Sequence, residues 1–138
     1  LTPDQDQRVA ERAERMEERL ERWLGPLSGA QRERVASWAQ ALRGQTESWL
    51  RSRRVWQAEF REAMDGRAEP GFEDRVTELL VHRDRFWPEA HRQRMARARE
   101  EGLRAMADLL ALADPGQRRH LSHRLEDLAA DLRGIPCA

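Results

Sequence analysis

Four histidines and one cysteine carry the donor atoms best suited to a transition metal. His120 and His123 stand three apart, which puts them on one face of a helix, and Cys137 follows nearby in sequence. Joined by His82 or His91, they would supply the nitrogen and sulfur ligands of a metal-responsive sensor. No acidic ligand stands at metal-binding spacing with the pair, and the thiol lies at the chain end. The plainer reading is two surface histidines, so no metal and no cofactor is expected. Catalytic chemistry has less to build on. There is no Gly-rich phosphate loop and no Gly-x-Ser-x-Gly elbow. Ser122 and His123 are neighbours on a helix and point in different directions. Carboxylates are abundant but sit at helical salt-bridge spacing, so no acid–base pair stands out. No catalytic residue is assigned, and an enzyme is not expected.

The aromatic residues give a stronger signal. Trp38, Trp49, Trp56 and Phe60, with Trp23 and Trp87, fill space efficiently between long helices. A thin assembly of helices nevertheless cannot hide all five indoles. Trp49 and Trp56 flank Arg51, Arg53 and Arg54, and such a cluster can grip an unfolded or acidic protein through cation–aromatic contacts. Trp49, Arg53, Trp56 and Phe60 are therefore the candidate partner-binding residues.

The element that would position them is a long helix from Ser28 to about Met64. Val35, Leu42, Trp49, Trp56 and Ala63 recur every seven residues along it. At about 1.5 Å per residue this helix would run ~55 Å. Gly44 lies inside it and is where a kink would fall. Thr2 with Gln5, and Ser28 with Gln31, have the spacing of a capping box, with Leu1 and Leu27 as staples. Asp114 with Gln117 repeats the signal. Gly25-Pro26, Asp65-Gly66, Pro70-Gly71 and Trp87-Pro88 punctuate the chain. The pattern predicts an all-α fold of about five helices over 2–24, 28–64, 72–86, 88–112 and 114–133. They would form one domain over residues 1–138, an antiparallel bundle with the long second helix as its spine. Leu121, Leu125, Leu128, Leu132 and Ile135 stripe the last helix.

Composition bounds the function. All 25 basic residues are arginine and are balanced by 25 acidic ones. Zero net charge argues against nucleic acid as a partner. The longest purely apolar run, Leu109 to Ala113, is far too short to span a bilayer. The chain begins at Leu1, as expected of a processed or trimmed product that has lost any signal peptide and lipid-bearing cysteine.

The helix-opening segments resemble a known pattern. Leu1-Thr2-Pro3-Asp4-Gln5 matches the Leu-Thr-x-x-Gln motif of the Spy/CpxP group of periplasmic proteins, Leu27 to Gln31 matches it conservatively, and Leu112 to Gln117 is a degenerate copy capped by aspartate. More closely, the chain resembles an uncharacterised family of proteobacterial helical lipoproteins. The shared features are the Leu-Thr-Pro-x-Gln opening, the Gly-Pro-Leu-Ser turn, and a Trp-rich helix ending in Trp-x-x-x-Phe, here Trp56 to Phe60. That resemblance implies export to the envelope, with the precursor lipid-anchored to a membrane, and no known activity, which leaves a purely structural, membrane-anchored spacer as a further alternative. The Spy/CpxP resemblance implies an ATP-independent holding chaperone or stress-response factor, often a homodimer, whose partners are proteins or unfolded clients.

Overall fold

The structure is a computed structural model and describes residues 4–135. Among the described residues it is all-α, with six α-helices and one 3-10 turn. Helix α1 (Gln5–Leu24) starts at Asp4, whose carboxylate accepts from the backbone N–H of Gln7 at 2.9 Å. The expected cap at Thr2 moves to Asp4, which makes Gln5 the first helical residue instead of the third. Leu1 and Thr2 lie outside the described residues. Gly25 ends α1 at φ 79°, a left-handed conformation that a Cβ would strain.

The expected helix over 28–64 is two helices. Helix α2 (Gly29–Ala41) and helix α3 (Gln45–Asp65) are separated at Gly44, which sits at φ 77°. A residue in the left-handed region cannot continue a right-handed helix, so the chain turns there. Two guanidinium groups bond carbonyls freed at the break. Arg12 donates to the carbonyls of Ala39 and Leu42, each at 3.2 Å. Arg94 donates to that of Arg43 at 3.0 Å. Arginine at a helix C-terminus also meets the negative end of its dipole.

The expected third helix over 72–86 is likewise shorter. Helix α4 (Phe72–Val81) stops at His82, and a 3-10 turn (Arg83–Phe86) follows. Pro88 holds Trp87 extended, at φ −75° and ψ 131°, so the chain leaves the helix before it. Helix α5 (Glu89–Ala111) then runs to the last turn, and helix α6 (Pro115–Arg133) ends at Gly134. No helix among the described residues is long and apolar enough to cross a membrane.

The chain divides into two compact units, one of residues 1–42 with 101–138 and one of residues 43–100. In the first, α1 packs against both α2 and α6. Its core is Leu20, Leu24, Leu27, Val35 and Leu109, with Ala13, Met16, Trp38 and Leu121 packed against it. Each such leucine contributes about 1.5–3 kcal/mol when fully buried. Only the head of the α6 stripe joins this core. Leu125, Leu128 and Leu132 continue it on the same helical face and are exposed, as is Ile135 just beyond the helix end.

The two expected capping boxes at Ser28–Gln31 and Asp114–Gln117 both form. They also meet. Gln31 Nε2 donates to Gln117 Oε1 at 3.0 Å, and Gln117 Nε2 donates back to Gln31 Oε1 at 2.9 Å. Gln117 Nε2 reaches the carbonyl of Pro26 at 2.8 Å, and Gln31 Nε2 that of Leu109 at 3.4 Å. Gln31 is completely buried, so this network keeps its amide satisfied away from water. It ties the start of α2 to the start of α6.

In the second unit α3 packs against α4 and the 3-10 turn. Leu79 is fully buried, and its carbonyl accepts from Trp56 Nε1 at 2.7 Å. Phe60 stacks on Trp56 with ring centroids 5.3 Å apart.

Candidate functional site

The buried face of α3 is set by Ser48, Ser52 and Ala63. Ser48 and Ser52 are one turn apart and small, which leaves room on that face for a ring from α5. His91 fills it. Its Nδ1 lies 2.8 Å from Ser48 Oγ, and Trp87 meets the imidazole edge-on at 5.0 Å. His91 is only 3% exposed. Burial, reinforced by the charge of Arg94, lowers its pKa below the ordinary histidine value. The Ser48 hydroxyl thus serves as the polar partner of an imidazole held neutral.

One residue round the helix from Ser48, Trp49 comes to the surface and is 47% exposed. A cleft of about 270 Å³ opens beside it, lined by Trp49, Ser52, Arg53, Trp56, Arg83, Trp87 and His91. Arg53 lies over the Trp49 ring, 5.2 Å from its centroid, and Arg83 over the Trp56 ring at 5.1 Å. No aspartate or glutamate lines the cleft. Among the described residues neither Arg53 nor Arg83 has an ion-pair partner. Other arginines of this unit are paired, Arg75 with Glu59 and Arg85 with Glu78.

Of the four residues expected to bind a partner, Trp49, Arg53 and Trp56 share this cleft. Phe60 does not line it and instead supports Trp56 by stacking. Arg51 and Arg54 are exposed and lie outside the lining. Sequence spacing missed Arg83, Ser52 and His91. The first comes from the 3-10 turn, and no local pattern connects that turn to α3. The serines carried a readable signal, two small residues four apart on a helix otherwise rich in bulk.

The other candidate residues are dispersed. His120 and His123 are both exposed on α6, and His123 Nδ1 lies 3.7 Å from Glu126, so an acidic side chain does stand beside the pair, contrary to the sequence expectation. Cys137 lies outside the described residues. Among the described residues no group of three or more histidine, cysteine or acidic side chains is placed to hold a metal. The capping residues Ser28, Gln31, Asp114 and Gln117 belong to the glutamine network of the first unit, and Leu27 to its hydrophobic core. A wider hollow of about 500 Å³ lies at the turn between α3 and α4, with Glu62, Asp65, Glu69 and Arg75 in its wall.

No curated protein and no solved structure matches the chain. A family model matches residues 1–92, a span that includes α1 to α4 and both aromatic–arginine pairs of the cleft. The chain belongs to that family, DUF6279, a family of unknown function.

Proposed function

We propose that this is a non-enzymatic protein of the bacterial envelope that binds other proteins and holds unfolded clients without nucleotide. The observation that carries this reading is the cleft on α3. An indole nearly half exposed, capped by an unpaired guanidinium, has no role in the core. Exposed aromatic and arginine side chains are the residue types that dominate protein-binding hot spots. Placement in the envelope, attached by an N-terminal lipid on the precursor, rests on the resemblance carried by the Leu-Thr-Pro-x-Gln opening and the tryptophan spacing. The test is light scattering of a denatured client with and without the protein, in the absence of nucleotide. Suppression at comparable molar amounts is expected. Undiminished aggregation at several-fold excess would sink the holding role.

A further inference from the structure

The cleft on α3 is more selective than a general apolar surface. Its walls are the indoles of Trp49, Trp56 and Trp87, and its charge comes from Arg53 and Arg83 alone. In a chain whose charges sum to zero, a carboxylate-free pocket with two guanidinium groups is a local excess of positive charge. Both guanidiniums lie over rings. A guanidinium held against a ring by its charge still has N–H groups to offer, in the fork geometry that fits a carboxylate. The indole N–H groups of Trp49 and Trp87 have no acceptor among the described residues, whereas Trp56 Nε1 is committed to Leu79. The site therefore offers donors and π-faces and almost no acceptors. Its volume of about 270 Å³ is below the roughly 300–1,000 Å³ typical of pockets for drug-sized molecules. It suits one ring and an adjoining charge, with the rest of the ligand outside.

We propose that the cleft recognises a peptide segment in which an aromatic side chain stands next to a carboxylate. The ring enters among the indoles, and the carboxylate is held by Arg53 and Arg83. The proposal rests on the reading of this protein as a binder of other proteins and names the segment it selects.

The test is fluorescence anisotropy of dye-labelled, end-capped peptides with the full chain. The probe is Gly-Asp-Phe-Glu-Gly. The controls are Gly-Lys-Phe-Lys-Gly, which reverses the charge, and Gly-Asp-Ala-Glu-Gly, which removes the ring. The probe is expected to bind at least about tenfold more tightly than either control, and to weaken as salt screens the exposed part of the contact. Arg53→Gln and Arg83→Gln are surface changes that should keep the circular dichroism and melting of the wild type. Each should weaken the probe about fivefold or more. Equal binding of the lysine peptide, or unchanged affinity in both variants, would overturn the proposal. So would phenylacetate competing at the same concentration as the peptide, since the site would then belong to small aromatic acids. Failure of the probe while client aggregation is still suppressed removes this inference and leaves the holding role standing. Tight probe binding without suppression does the reverse.

Discussion

Gln31 and Gln117 each do two jobs with one amide. Each oxygen closes its own capping box and accepts from the other glutamine, while each nitrogen also reaches a backbone carbonyl. Removing one amide strands the other where water cannot reach it. Gln31→Met or Gln117→Met alone should cost about 1–3 kcal/mol. The double substitution should cost less than the sum, by about 0.5 kcal/mol or more. Urea denaturation of the four proteins measures this, and strict additivity would show that the pair does not act as a unit. His91 makes a prediction of the opposite kind, about protons. Its folded-state pKa lies below the ordinary value of about 6.5, first because it is buried and second because Arg94 is near. Between those two pKa values the unfolded chain binds a proton that the folded one resists. This contribution to stability is therefore present above the ordinary pKa and is lost as pH falls toward the folded one. His91→Asn should flatten the loss of stability between about pH 7.5 and about pH 5.5. An unchanged slope would remove His91 as a cause.

At the scale of elements, the all-α class and most helix ends were legible because caps and breakers are local. Ser28, Gly25, Asp114 and Pro88 act within one turn of where they stand. The phase of α3 was not legible. A seven-residue repeat running from Val35 to Ala63 puts Trp49 in register with Val35 and Ala63 along one unbroken helix, and both of those residues are buried. The left-handed Gly44 resets the helix, so the inward face of α3 begins with Ser48 and Ser52, and Trp49 turns outward. The periodicity of side chains carries no record of a backbone dihedral. Gly44→Ala separates the two descriptions cleanly. In a continuous helix alanine would stabilise by about 1 kcal/mol. At φ 77° it should instead destabilise by about 1 kcal/mol or more. Thermal melting decides the sign. The α6 stripe shows the same limit. Its leucine spacing announces an apolar face but not what covers it, and only Leu121 reaches the core.

Across the whole molecule, chemistry is divided between the two units. The first contains the leucine core, the glutamine network and ion pairs such as Arg34 with Glu101 and Asp108. The second contains the buried histidine and the arginine–indole cleft. The candidate cleft was half legible. Trp49, Arg53 and Trp56 follow from spacing on one helix, whereas Arg83 and His91 are brought to them by the tertiary fold. The central claim is that this cleft, and not exposed apolar surface in general, is where another protein is held. The most direct measurement is client light scattering with two matched sets of variants that retain wild-type melting. One set changes the cleft, Trp49→Ala and Arg53→Gln. The other changes α6, Leu125→Ser and Leu132→Ser, at exposed positions that should tolerate it. Suppression is expected to fall at least severalfold in the cleft set and to stay near wild type in the α6 set. Suppression that survives the cleft changes and disappears with the α6 changes would contradict that claim.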